Sequence, residues 1–190
     1  MGALDWMLFR LINGLAGQWP PLDGVMFFLA TDYMLPTMAF SVLVFFWLSG
    51  RDRERVMAFS GLVAFVWANI VVKALNLMWR RPRPFTTHDD VVLLFYRPSD
   101  PSFPANSATA LAALGWLVWR HNRRVGGLLL LLAVAMGVAR IYVGVHYPFD
   151  VIGGWVLGIA AAETWYRYGE PRALPVMQGV ARMLARLGLA

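Results

Sequence analysis

The sequence lacks cysteine and is poor in charged residues, and both scarcities restrict what the chain can do. Without cysteine it has no disulfide bonds, no thiolate nucleophile and no thiolate metal ligands. Charged residues make up only 15% of the 190 residues, against about 25% in soluble domains. A basic start followed by a short apolar run and a small-residue cleavage site is also missing, so no cleaved signal peptide is expected.

Apolar and aromatic residues are abundant instead. Hydrophobic residues account for 59% of the chain, and the mean hydropathy is +0.55. The nine tryptophans and twelve phenylalanines are typical of a protein that crosses the membrane–water boundary. The formal net charge of +6 would suit nucleic acid, but the hydropathy favours anionic lipid or phosphate. We therefore expect the lipid bilayer and a phosphorylated lipid as partners, and no nucleic acid.

Five stretches approach the length of a membrane-spanning helix, which needs about 20 mostly apolar residues. The sequence therefore predicts an all-α integral membrane protein with a single domain over residues 1–190. A short apolar helix at Asp5–Leu15 and an amphipathic tail helix at Val176–Leu187 are expected to lie at the membrane surface. The predicted spans are Gly24–Leu48, Val56–Trp79, Pro104–Trp119, Gly126–Val145 and Pro148–Tyr166.

Basic residues predict how these spans are oriented. Arginines crowd two short connections, Arg51–Arg55 and Arg120–Arg124, and the positive-inside rule assigns that side to the cytoplasm. The outer loop Arg80–Phe103 and the turn at His146 and Tyr147 then face outward. We expect a multi-pass protein of the cell membrane whose functional residues face away from the cytoplasm.

The outward connections hold most of the polar residues suited to binding or transforming a phosphate. The stretch RRPRPF, at Arg80–Phe85, presents guanidinium groups on a backbone stiffened by proline, and arginine binds phosphate with two parallel hydrogen bonds. His146 precedes Asp150 by four residues. The carboxylate can therefore reach one imidazole nitrogen and leave the other as a nucleophile or base. A helix that begins at Pro148 also favours anions at its N-terminus.

Together, RPRPF, SFPANS and ARIYVGVHYPFD resemble the three signature motifs of the type 2 phosphatidic acid phosphatase superfamily. Its members are metal-independent membrane lipid phosphatases. The motifs extend from Lys73 to Asp150, and the layout is most similar to small bacterial undecaprenyl-pyrophosphate phosphatases of the bacitracin-resistance type. The resemblance implies a hydrolase without metal or other cofactor that acts on a phosphorylated polyprenyl lipid. Its expected reaction converts undecaprenyl pyrophosphate to the monophosphate.

The resemblance also assigns roles to individual residues. His146 would attack phosphorus and form a phosphohistidine, while Asp150 would orient and charge-stabilise that histidine. Arg140 of the third motif and Arg83 of the first would bind phosphate. Arg81 would add positive charge beside them.

The first and second motifs depart from the family pattern. The family's lysine falls on Asn76, and Lys73, one helical turn earlier, either substitutes for it or extends toward the membrane surface. The family's serine and its leaving-group histidine fall on Ala105 and Ser107, so the general acid is missing. Asn106 and Ser107 still offer hydrogen bonds to a phosphate, as do the backbone N–H groups at this helix start.

Two further residues are candidates with open alternatives. His88 in the outer loop is either a substitute acid or a solvated loop histidine. Asp32, ionisable within an apolar span, either pairs with an outer-loop arginine or makes a structural helix contact. The outer loop is long, and long loops are often lids. Phe95, Tyr96 and Phe103 are the side chains that would cover a lipid tail.

The missing acid bears on the choice of substrate. A lipid phosphomonoester expels an alkoxide, whose conjugate acid is about as weak as water, with a pKa of ~15.7. A lipid diphosphate expels a phosphate monoester, whose second pKa is about 6. The sequence therefore favours a diphosphate. The alternatives are a phosphatidic acid or phosphatidylglycerol phosphate phosphatase, and a catalytically silent protein that binds or transports a phosphorylated lipid.

Overall fold

The structure, a computed structural model, describes residues 2–48 and 52–186, and within those ranges every regular element is helical. The predicted all-α class is therefore confirmed. Arg51 of the first basic connection and Leu187 of the tail helix lie outside the described residues. In chain order the elements are α1 (Ala3–Asn13), α2 (Pro20–Ala30), α3 (Met34–Leu48), α4 (Asp52–Met78), α5 (Pro84–Thr87), α6 (Asn106–His121), α7 (Arg123–Tyr142), α8 (Pro148–Thr164), a π-helical turn (Trp165–Gly169) and α9 (Glu170–Arg186).

Helix α6 lies at the centre of the bundle and packs against α4, α7 and α8. Its buried face is rich in alanine, so neighbouring backbones approach it closely. A Cβ atom on Gly158 of α8 would lie 2.3 Å from the carbonyl oxygen of Thr109, and one on Gly154 would lie 2.6 Å from the Thr109 hydroxyl oxygen. Membrane helices use such small residues at their crossings, because lipid gives them no hydrophobic drive to associate.

Large apolar side chains cover the outside of the bundle, where a soluble protein would carry charges. Leu128, Leu131 and Val156 are each more than 60% exposed. Among the described helices, α4 and α7 are long and apolar enough to cross a membrane. Helices α6 and α8 are shorter, with 16 and 17 residues. Contact with lipid explains an apolar exterior that water would not favour.

The first predicted span, Gly24–Leu48, is divided into two helices. Helix α2 ends at Ala30 and α3 begins at Met34. The Ala30 carbonyl oxygen accepts a hydrogen bond of 2.9 Å from Arg140 Nη1, which satisfies one of the groups that a helix end leaves unpaired. Hydropathy records apolar content and carries no information on such a partner, so the sequence predicted one continuous span.

A helix covers each of the other four predicted spans, with shifted ends. The third begins two residues later than predicted, because α6 starts at Asn106 rather than Pro104. The fourth ends three residues earlier than Val145, since α7 stops at Tyr142. The chain then turns through Gly144 with a φ of +88°, a conformation that glycine adopts without steric penalty.

The two ends of the bundle carry different groups. At one end, Arg53 of the first arginine-rich connection lines a cavity of about 230 Å³ together with His121 and Asn122 of the second. At the other end the C-termini of α4 and α7 meet the N-termini of α6 and α8. The outer loop and the His146 turn are therefore neighbours, as the predicted topology requires.

Replacing Gly158 with alanine should destabilise the fold, because the new Cβ would meet a backbone oxygen that cannot rotate away. We expect the free energy of unfolding to fall by about 1–3 kcal/mol, as in other overpacked interiors. Gly127→Ala is the matched control, since nothing lies within 4 Å of its Cβ position. Thermal unfolding in detergent measures the difference. Equal melting temperatures for the two variants would contradict a close crossing of α6 and α8.

Candidate active site

His146 lies in the turn between α7 and α8 and is only 1% exposed. Its Nδ1 is 2.8 Å from the carbonyl oxygen of Ser102, and its Nε2 is 3.2 Å from Arg83 Nη1. A carbonyl only accepts hydrogen bonds and a guanidinium only donates them. The proton therefore resides on Nδ1. The lone pair of Nε2 accepts a hydrogen bond from Arg83. This is the tautomer that a nucleophilic imidazole needs.

Asp150 sits next to His146 without a hydrogen bond to it. The distance between Asp150 Oδ2 and His146 Nδ1 is 3.9 Å. Instead, Asp150 accepts hydrogen bonds from the Ser102 hydroxyl at 2.6 Å, the Tyr147 N–H at 2.9 Å and Arg81 Nη1 at 2.5 Å. Ser102 thus stands between the two residues. Its carbonyl accepts a hydrogen bond from the imidazole, and its hydroxyl donates one to the carboxylate. In the part of the chain that the structure describes, Asp150 is therefore connected to His146 by hydrogen bonds only through Ser102.

Arg83 is buried beside the imidazole and is held at three points. Its Nη1 donates to the carbonyl oxygen of Val145 at 2.9 Å, and its Nε donates to that of Asp100 at 2.8 Å. Its Nη2 lies 2.9 Å from the Asp100 carboxylate. The arginine predicted to bind phosphate is therefore fixed against the His146 imidazole, and its one carboxylate partner among the described residues, Asp100, belongs to the outer loop.

Arg81 makes a different set of contacts. Its two terminal nitrogens pair with the carboxylates of Asp150 and Asp5, and its guanidinium lies 4.5 Å above the Tyr147 ring. Asp5 comes from α1 and is 1% exposed. The positive charge that the sequence assigned to phosphate binding is thus shared between two buried carboxylates.

Arg140 and Ser107 belong to a third cluster, built around Asp32. Arg140 Nη2 lies 2.6 Å from Asp32 Oδ1 and 3.1 Å from the Ser107 hydroxyl oxygen. The Ser107 hydroxyl donates to Asp32 at 2.7 Å, and the Tyr96 hydroxyl donates to it as well. Asp32 therefore pairs with the arginine of α7 and not with an outer-loop arginine. A carboxylate that accepts from three donors is bound in its ionised form.

A cavity of about 740 Å³ opens beside these clusters, between the end of α4, the outer loop and the start of α6. Arg83 lines it, and His146 lies behind Arg83. The Asn76 side-chain oxygen is buried and has no hydrogen-bond partner among the described residues. The other predicted binding residues in its wall are Lys73, Arg81 and Asn106.

The outer loop contacts the site through aromatic residues. Phe95 packs 4.5 Å from Tyr96, between ring centroids, and the Arg140 guanidinium lies 5.3 Å from the Phe95 centroid. Phe103 packs against Trp79 at 5.1 Å. His88 stacks on Trp6 of α1 at 3.6 Å, and its buried Nε2 has no hydrogen-bond partner among the described residues. His88 is thus a packed residue rather than a solvated one.

Three residues of the site were not singled out from the sequence. Ser102 opens the SFPANS stretch but was given no role there, and the backbone carbonyl by which it contacts His146 exists in every residue. Asp100 is one of several loop carboxylates. Asp5 did carry a signal, because it is a lone carboxylate in an apolar helix, the same feature that drew attention to Asp32.

Burial and positive charge act together on His146. Burial lowers the pKa of its imidazole well below the ordinary value of 6.5, and the charges of Arg83, Arg140 and Arg81 lower it further. The Ser102 carbonyl acts in the opposite direction and is outweighed. His146 is therefore neutral at physiological pH, with Nε2 unprotonated and accepting the hydrogen bond from Arg83.

Known proteins similar to this chain share its sequence pattern and its fold. A family profile described as the PAP2 superfamily matches residues 57–173. The chain is 36% identical over 154 residues to the bacitracin transport permease protein BcrC of Bacillus licheniformis, covering 81% of this chain and 75% of that protein. It is 29% identical to the undecaprenyl-diphosphatase BcrC of Bacillus subtilis, covering 88% and 85%. The crystal structure of Aquifex aeolicus LpxE superposes with a TM-score of 0.74 at 27% identity, covering 88% of this chain and 97% of that one.

Acid should destabilise this protein partly through His146. Its pKa in the folded state lies below the value of about 6.5 that it has when unfolded, so the unfolded chain binds the proton first. The free energy of unfolding then falls as pH drops below about 6.5, by up to about 2 kcal/mol at pH 5. Denaturant unfolding at pH 7 and pH 5 measures this loss. His146→Gln should reduce the pH dependence by that amount, and an unchanged dependence would contradict a buried neutral imidazole.

Proposed function

The chain belongs to the PAP2 superfamily, and on that basis we propose that it is a membrane-embedded phosphatase that hydrolyses a polyprenyl diphosphate, undecaprenyl pyrophosphate, to the monophosphate. The observation that carries the proposal is the neutral His146, whose Nε2 is directed at Arg83 in the wall of a large cavity. The relatives named for undecaprenyl diphosphate and bacitracin support this substrate class. The single domain covers residues 1–190.

The reaction proceeds in two steps. His146 Nε2 attacks the terminal phosphorus, a bond forms between nitrogen and phosphorus, and the bond to the bridging oxygen breaks. The lipid monophosphate leaves with that oxygen and its electron pair. A water molecule then attacks the phosphohistidine, releases inorganic phosphate and returns the imidazole to its neutral state. Arg83 stabilises the charge that develops on the transferred phosphate, and Asp150 stabilises the cationic phosphohistidine.

The second motif supports a diphosphate over a monoester. Ser107 replaces the family's proton donor and is bonded to Asp32 and Arg140 rather than to His146. An alkoxide leaving group needs a proton, whereas a phosphate monoester with a second pKa of about 6 leaves as an anion when positive charge surrounds it. Lys73, Arg80 and Arg83 line the cavity and supply that charge.

The distribution of charge supports a site outside the cytoplasm. The arginine-rich connections gather at the end of the bundle opposite His146, and basic residues favour the cytoplasmic side. We assign five spans to α3, α4, α6, α7 and α8, with α1 and α9 at the two membrane surfaces. In this arrangement α3 alone forms the first span, α2 is not part of it, and the diphosphate enters from the outer leaflet.

A catalytically silent lipid-binding protein is the second candidate. Asn76 and Ser107 stand where the family keeps two functional side chains, and that loss favours binding without turnover. An oriented, neutral nucleophile favours catalysis, because binding alone does not need the His146 tautomer. Trapping the phosphoenzyme separates the two candidates.

Purified protein should hydrolyse undecaprenyl pyrophosphate and form a phosphohistidine. Acid quenching during turnover of terminally ³²P-labelled substrate is expected to trap label on His146. His146→Gln should trap none and release no phosphate, while an exposed substitution such as Arg10→Gln should leave both readouts unchanged. Substrate binding without phosphoenzyme or phosphate release would support the silent protein instead.

The diphosphate should also be the better substrate. We expect kcat/KM for undecaprenyl pyrophosphate to exceed that for phosphatidic acid or phosphatidylglycerol phosphate by at least ~10²-fold, since general acid catalysis contributes about 10²–10⁴-fold to reactions that need it. Ser107→His should raise turnover of the monoesters and change that of the diphosphate little. Ser107→Ala is the control for loss of the Asp32 hydrogen bond. Faster monoester turnover by the unmodified protein, or equal gains on both substrates, would contradict the leaving-group argument.

A further inference from the structure

Helix α1 carries a buried stripe that faces the active site. Asp5, Phe9 and Asn13 are spaced four residues apart, so they share one face of the helix. They are 1%, 1% and 3% exposed. All three lie outside residues 57–173, the part of the chain that matches the family.

The first residue of the stripe, Asp5, is connected to Asp150 by two routes. Asp5 pairs with Arg81 Nη2, and its other oxygen accepts the N–H of Phe149 at 3.0 Å. Arg81 in turn donates to Asp150 at 2.5 Å. Asp5 is therefore connected to Asp150 by a guanidinium on one side and by the start of α8 on the other.

The other two residues contact the same segment. Phe9 packs edge-on against the Tyr147 ring at 5.6 Å. Asn13 Nδ2 donates to the carbonyl oxygen of Tyr142 at 2.8 Å, and to that of Val92 at the same distance. Contacts thus fall before His146, directly after it and at the start of α8. The turn that carries His146 lies outside the regular helices, and its own backbone hydrogen bonds close the end of α7 and open α8. The contacts from α1 add to these bonds on both sides of His146.

The opposite face of α1 is apolar and exposed, and it is sufficient by itself for contact with the membrane. Leu4, Met7 and Leu11 are each more than 50% exposed and form an apolar face. Anchoring at the membrane surface needs only this face. A buried carboxylate and a buried amide add nothing to anchoring, and burying them unpaired would be unfavourable. Their presence requires partners, and those partners surround the nucleophile.

We propose that α1 is a positioning element of the active site, and that Asp5 is a positioning residue that acts through Arg81 on Asp150. Asp5 neutralises part of the Arg81 charge and fixes the direction of its guanidinium. Arg81 then holds Asp150 where the carboxylate orders Ser102 and faces His146. The kinetic test of this inference rests on the proposed function. A second test, hydrogen–deuterium exchange, needs no activity.

Asp5→Asn removes the charge and the oxygen that pairs with Arg81, while its one amide oxygen can still accept the Phe149 N–H. We expect kcat for undecaprenyl pyrophosphate to fall at least tenfold with KM within twofold of the unmodified protein. The Arg81→Gln variant should fall similarly, and the double variant should fall no further than Arg81→Gln, because residues that act as one unit are not additive. Arg10→Gln, which removes an exposed charge from the same helix, should keep kcat unchanged.

Hydrogen–deuterium exchange in detergent supplies the readout that needs no activity. Asp5→Ala should speed exchange at least threefold in peptides that cover residues 142–150, and Arg10→Gln should not. Unchanged exchange in that segment, a kcat of Asp5→Asn within twofold, or fully additive losses in the double variant would each overturn the inference. If the unmodified protein released no phosphate, the proposed function would fail, and the exchange result would still decide whether α1 positions the His146 segment.

Discussion

Arg81, Arg83 and Arg140 bring three positive charges into one end of a helical bundle, and each of them needs a partner there. Burying an arginine charge without a partner in a low-dielectric interior costs several kcal/mol of desolvation free energy. A carboxylate partner offsets that cost only when the geometry of the pair is good. Their carboxylate partners come from distant parts of the chain. Pairing therefore brings together α1, the segment between α2 and α3, the outer loop and α8. The carboxylates are Asp5, Asp32, Asp100 and Asp150.

The exposure of each carboxylate distinguishes arginines that look equivalent in the sequence. The Asp100 side chain is 53% exposed, whereas those of Asp5 and Asp150 are 1% and 0% exposed. Water already solvates Asp100, so an incoming phosphate can take its place on Arg83 with little loss. Separating Arg81 from its buried partners would leave uncompensated charges. Arg83 is thus suited to bind phosphate, and Arg81 is suited to hold the site in shape.

The sequence predicted the helical class and the end of the bundle at which the site lies, because apolar length and arginine placement are local properties. The resemblance to the family assigned Arg83, His146 and Asp150 to one site, and in the structure these three residues are neighbours. The sequence did not predict the break between α2 and α3, which depends on a hydrogen bond from Arg140. The hydrogen bond from His146 to the Ser102 carbonyl could not be predicted either, because every residue has a backbone carbonyl.

The absence of the family's proton donor at position 107 would matter less if a neighbouring group supplied the proton. Tyr96 carries the other hydroxyl of the Asp32 cluster, but burial and the Asp32 carboxylate raise the pKa of Tyr96 to about 12. Asp32 itself accepts hydrogen bonds and has no proton to give. An acid with so high a pKa transfers its proton poorly near pH 7. The cluster is therefore suited to hold Arg140 and the outer loop in place, and under the proposed function the reaction depends on a leaving group that departs as an anion.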